Sequence, residues 1–142
     1  MPATFELFGL KFLYPDNWKE MKRAEDEGGD GVTLELPSGG FVSLEKEREG
    51  QLIEEIIEEV ADSIAEDYEE IEREEILLAE ALPNEHTIDF RFYYLDLLIV
   101  SRLIIFKAVG RTLILQIQAE SRDFDENKLV FSAILKQIRE SL

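Results

Sequence analysis

Residues 86–119 read HTIDFRFYYLDLLIVSRLIIFKAVGRTLILQIQA, and their spacing decides the fold. From His86 to Leu95 the chain alternates. His86, Ile88, Phe90, Phe92 and Tyr94 share one side, and Thr87, Asp89, Arg91, Tyr93 and Leu95 the other, which is the period-two signature of a strand. Leu97 to Val109 is apolar on both sides, as expected of a central strand covered on both faces. Gly110-Arg111 closes a turn into Thr112 to Ala119, where Leu113, Leu115, Ile117 and Ala119 face inwards and Gln116 and Gln118 lie on the polar side. The links between these segments are too short for the crossover that parallel strands require, so the strands must run antiparallel.

Upstream, the period changes to 3.6 from Gln51 to about Arg73, with Ile53, Ile56, Ile57, Val60, Ile64, Tyr68 and Ile71 on one stripe. This spacing predicts a long amphipathic helix. Glu55, Glu58, Asp62, Glu66 and Glu69 fall on the opposite side as an acidic ridge. Glu54 and Glu55 suit the positive end of the helix dipole, while acids near the far end oppose it. Glu75 to Ala81 reads as a further strand before the Pro83-Asn84 turn.

Nearer the start, Thr4 to Tyr14 reads as two short strands around Gly9. Val32 to Leu36 and Phe41 to Lys46 form a hairpin about Pro37-Ser38-Gly39-Gly40. Between these units, Ala24 to Gly31 (AEDEGGDG) fits neither a strand nor a helix and reads as a loop. At the other end, a second helix from about Asp125 carries Leu129, Val130, Ile134, Leu135 and Ile138, with Asp123 and Glu126 spaced as a capping box. The expected architecture is a single α+β domain over residues 1–142, a mainly antiparallel sheet of about six strands flanked by helices.

Composition narrows the function. The 142 residues include 32 acids and 15 bases, a net charge of −17, which repels phosphate backbones and anionic lipid surfaces; neither nucleic acid nor membrane is an expected partner. Sixteen acids and three bases fall between Glu45 and Glu80, so most of the charge sits around the acidic helix. With no cysteine, disulfides, thiolate metal sites and cysteine nucleophiles are excluded. The N-terminus lacks the basic start and apolar run of a secretory signal, and Leu95 to Val109 is too short and too charged to span a bilayer. The chain reads as cytoplasmic.

Candidate chemistry is sparse. His86 is the only histidine, and Asp89 lies on the other side of the pleat, so an ordinary strand-end residue is the simpler account. Asp26, Glu27 and Asp30 are weak metal candidates: three carboxylates among glycines, without the alternate-position spacing of a calcium loop. Gly28-Gly29 and Gly39-Gly40 lack the lysine or helix that phosphate binding requires. Trp18 and the group Phe90, Phe92, Tyr93 and Tyr94 could line an apolar groove, although core packing is the simpler account of Phe90, Phe92 and Tyr94, which share one face, with Tyr93 on the other. The ridge of Glu55, Glu58, Asp62, Glu66 and Glu69 is the candidate partner surface, since a face of one sign steers a basic protein.

Four features together cover nearly the whole chain: Leu13-Tyr14-Pro15-Asp16-Asn17-Trp18 closing an early strand, the acid-rich helix after a hairpin, long strands paired about Gly110, and the closing helix through Phe131 to Ile138. In this layout the chain resembles the Mog1/PsbP-like fold, which also includes DcrB-like bacterial domains. The resemblance implies a central antiparallel sheet between helices. The group includes a binder of the Ran GTPase, subunits of the photosynthetic oxygen-evolving complex and chaperones for secreted effectors, so the resemblance implies binding rather than a reaction. The expectation is a non-enzymatic protein-binding or adaptor domain without a cofactor, using the acidic helix or a sheet face. The alternatives are a chaperone-like holder of apolar segments, and a divalent-metal-binding protein or enzyme.

Overall fold

The computed structural model describes residues 2–21, 31–47, 50–108 and 110–142. The early strands are β1 (Ala3–Leu7), β2 (Leu10–Tyr14), β3 (Lys19–Met21), β4 (Gly31–Glu35) and β5 (Phe41–Lys46). Then follow α1 (Ile53–Ala65), β6 (Glu72–Ile76), β7 (Glu85–Tyr94), β8 (Leu97–Ala108) and β9 (Arg111–Glu120), and the chain closes with α2 (Ser121–Glu126) and α3 (Lys128–Ser141). β1 and β2 form their own two-stranded sheet. Their two-residue turn places Phe8 and Gly9 at φ 57° and 76°, the doubly left-handed geometry that matches strand twist.

The remaining strands form one antiparallel sheet in the order β3-β4-β5-β9-β8-β7-β6. It has seven strands rather than about six. The additional strand is β3, whose Lys-Glu-Met sequence carries no apolar alternation because it is an exposed edge.

As its two-sided apolar pattern requires, β8 is central and supplies both cores. Ile104 and Phe106 join one core with Leu34, Leu44, Leu115, Ile117 and the α3 residues Phe131 and Ile138. Leu103 and Ile105 join the other, where Ile56 and Ile64 of α1 cover Ile88, Phe90 and Phe92. The β1–β2 hairpin packs into the α3 side through Phe5, Leu10 and Phe12. At Gly40 an added Cβ would lie 2.7 Å from the Gln118 carbonyl oxygen, so β5 and β9 meet at a spacing only glycine permits.

Two boundaries are corrected. α1 ends at Ala65 rather than near Arg73, with no base in its last turn. The acids at 66, 67, 69 and 70 oppose the dipole there, the chain reverses at Glu70 with φ 53°, and Glu72–Ile76 is free to pair with β7. Tyr68 and Ile71 still pack on the α1 core, which is why the helical period appears to run on. The strand expected at Glu75–Ala81 is accordingly shifted to Glu72–Ile76.

At the C-terminus, the Asp123–Glu126 capping box does not form. Glu120 caps α2 by accepting from the backbone N–H groups of Arg122 and Asp123, at 2.9 and 3.3 Å. Burial acts to raise the pKa of Glu120, but hydrogen bonds from the Arg122 side chain and these two N–H groups outweigh it and hold the carboxyl below its usual range. Asp123 instead accepts from the side chains of Ser38 and Asn127, and Asn127 separates α2 from α3.

Candidate partner-binding surface

Burying Ile56 and Ile64 against the sheet obliges the acids of α1 to face outwards, and Glu54, Glu55, Glu58, Glu59 and Asp62 are all exposed. Of the five ridge residues, Glu55, Glu58 and Asp62 lie on the helix and Glu66 is its C-cap. Glu69 lies beyond the helix in the bend before β6, so the ridge is shorter than its sequence period suggests.

The structure adds a second acidic element beside it. β6 is an edge strand with Glu72, Glu74 and Glu75 exposed, and its Arg73 Nη1 donates to Glu58 Oε1 at 2.7 Å, joining strand and helix. Alternation along β6 puts Arg73 and Glu75 on the α1 side, opposite Phe90 and Ile88, and turns Glu72 and Glu74 to the other, so α1 and this side of β6 present six acids against Arg73. Arg91 caps the far side by donating to Glu74 at 3.1 Å.

The buried charges on the opposite sheet face were not legible as a set. Asp89 accepts two hydrogen bonds from Arg102, at 2.8 and 3.0 Å, with Arg91 a further 3.6 Å away. Glu85 accepts two from Arg139 of α3, at 2.8 and 2.6 Å, while Arg139 also donates to the Ala79 carbonyl. Arg102 was the available signal. A base in the middle of an apolar central strand must find an acid, and Asp89 stands directly opposite in the β7–β8 register.

The other candidates separate. His86 is exposed on β7 opposite Ile105. Trp18 is buried among Tyr14 and Phe131, with ring centroids 6.4 and 6.0 Å away, so it fills the α3 core and lines no groove. Phe90 and Phe92 are core beneath α1, but Tyr94, expected with them, is exposed at the β7–β8 tip with Tyr93, Leu95 and Leu97, because it lies at the end of the strand and meets the edge of Tyr68. Asp26, Glu27 and Asp30 lie outside the described residues, and among the described residues no group of three acids or histidines is arranged to hold a metal ion. Among those residues, too, no helix is long and apolar enough to cross a membrane.

This arrangement of sheet and helices is a Mog1/PsbP-like fold. It superposes on the solution structure of cyanobacterial PsbP (CyanoP) from Synechocystis sp. PCC 6803 with a TM-score of 0.67, covering 96% of this chain and 90% of that one at 12% sequence identity. A protein of unknown function from Pseudomonas aeruginosa, described as a putative regulator, aligns over 92% of this chain and 91% of its own at 9% identity and a TM-score of 0.48. No family model and no curated protein matches the chain.

Proposed function

We propose that residues 1–142 form a single non-enzymatic protein-binding domain that docks a basic partner on the α1–β6 face. One observation carries this reading: helix and edge strand place six acids, five on α1 and Glu75 on β6, against Arg73 on a joined exposed surface. A surface of one sign accelerates encounter with a basic partner and selects against acidic ones. We take its setting to be cytoplasmic, where a chain without cysteine is compatible with the reducing conditions. The polar side of the sheet next to α1 carries Thr33, Ser43, Gln116 and Gln118, which suits a protein interface better than the holding of apolar segments.

The test is capture of partners at about 50 mM and about 500 mM salt, where screening of exposed charge differs severalfold. Binding that falls with salt and is lost in the variant Glu58→Lys/Asp62→Lys/Glu66→Lys supports the surface. Undiminished capture by that variant removes it. A divalent-metal role through Asp26, Glu27 and Asp30 is tested separately by calorimetric titration with calcium and manganese.

A further inference from the structure

A cavity of about 560 Å³ lies between α3, the β8–β9 face and the segment at 78–80. Its walls are apolar, with Leu78, Ile104, Phe124 and Leu135 prominent, and its size falls within the range of small-molecule sites. Its charged rim is the reverse of the rest of the chain. Arg102, Lys128, Lys136 and Arg139 line it, four of only fifteen bases, against Glu80 as the sole lining acid.

The four bases divide by role. Arg102 and Arg139 are fixed by Asp89 and Glu85, and their carbon stems and guanidinium planes form part of the wall, Arg102 lying 5.1 Å over the Phe124 ring. Lys128 and Lys136 stand on one face of α3, exposed, with no ion-pair partner among the described residues. Counting Asp89 and Glu85 behind the arginines and Glu80 on the rim, four bases meet three acids, so the site is positive by one in a chain of net charge −17.

We propose that this cavity binds a small amphipathic anion, with an apolar body against Leu78, Phe124 and Leu135 and a carboxylate or similar head at Lys128 and Lys136. The surface of α1 and β6 takes no part, so this inference stands apart from the docking of a protein partner. An apolar lining gains from burying a hydrocarbon, and two unneutralised ammonium groups gain from an anionic head that the rest of the surface repels.

Decanoate is the probe, with decanol and acetate as controls, titrated into the full chain by calorimetry and followed by the methyl resonances of Ile104 and Ile117. Decanoate, with about twelve non-hydrogen atoms, binds one to one with a dissociation constant of about 1 mM or tighter. Decanol binds about tenfold more weakly, acetate not measurably, and Lys128→Ala/Lys136→Ala weakens decanoate about three- to tenfold while leaving decanol unchanged. Because both lysines are exposed, that variant keeps the wild-type melting temperature. Equal affinity for decanoate and decanol, no saturation by about 5 mM, an unaffected double variant, or shifts confined to residues outside the cavity would each overturn the assignment.

Discussion

Replacing Arg139 by methionine keeps a long apolar side chain in place while removing the guanidinium that Glu85 depends on. The Glu85 side chain is fully inaccessible and that of Arg139 is 10% exposed, so water cannot take over the lost interaction. Two hydrogen bonds of 2.8 and 2.6 Å disappear, leaving Glu85, among the described residues, with only the Leu82 backbone N–H at 3.3 Å, and the Ala79 carbonyl loses the Arg139 donor. Breaking a buried pair from one side costs about 3–5 kcal/mol. At about 3 °C per kcal/mol for a chain of this size, the melting temperature falls by roughly 10 °C or more.

Urea unfolding followed by circular dichroism measures the change, with an unchanged slope showing that the native state is otherwise intact. Arg73→Met is the control. It removes a pair whose side chains are 50% and 56% exposed, and costs less than about 1 kcal/mol. The Glu85→Leu/Arg139→Met double variant recovers much of the loss, because no charge is then stranded. Arg102→Met is milder than Arg139→Met, since Asp89 retains Arg91 at 3.6 Å. A loss of under about 1 kcal/mol for Arg139→Met would refute the reasoning, as would a double variant less stable than the single.

Three further outcomes follow from the geometry. Gly40→Ala forces a Cβ against the Gln118 carbonyl at 2.7 Å and the Ala119 Cβ at 3.0 Å, so it lowers stability by about 1–3 kcal/mol, read by denaturant midpoint. Leu95 is 81% exposed and holds φ at 54°, so Leu95→Gly relieves strain without uncovering core and raises the melting temperature; a decrease would show that Leu95 has contacts worth more than the strain. The lowered pKa of Glu120 means that its contribution is complete above the ordinary glutamate range and is lost as pH falls through the lowered folded value. The stability gap between wild type and Glu120→Ala, measured by thermal melts across acidic pH, therefore narrows as the pH drops through that window.

Elements with a strong period were legible, and elements defined by pairing were not. β8 announced itself as central because Ile104 and Ile105 must both be buried, one on each face, and the structure buries both. β3 has no apolar residue facing a core, and Glu72–Ile76 reads as more of the acidic helix until β7 is present to pair with it. The ridge was visible in the spacing of Glu55, Glu58 and Asp62. Its extension onto β6 was not, because Arg73 meets Glu58 only after the chain reverses at Glu70. The cavity beside α3 was invisible for the same reason: Arg102 and Lys136 are remote in sequence and meet only when α3 returns to the sheet.

The order of the sheet also has a kinetic consequence. β7, β8 and β9 are successive hairpins, but β9 then pairs with β5, bringing Phe41 beside Gln118 across a long intervening stretch of chain. Closing so large a loop loses entropy before any contact rewards it, so the β5–β9 seam is expected to zip after the meander has formed. Truncating Leu103 should then slow refolding, whereas truncating Val42 should mainly speed unfolding, a contrast that stopped-flow chevrons resolve. Until that seam closes, β9 is a long exposed edge bearing Leu113, Leu115 and Ile117, and aggregation during refolding should start there.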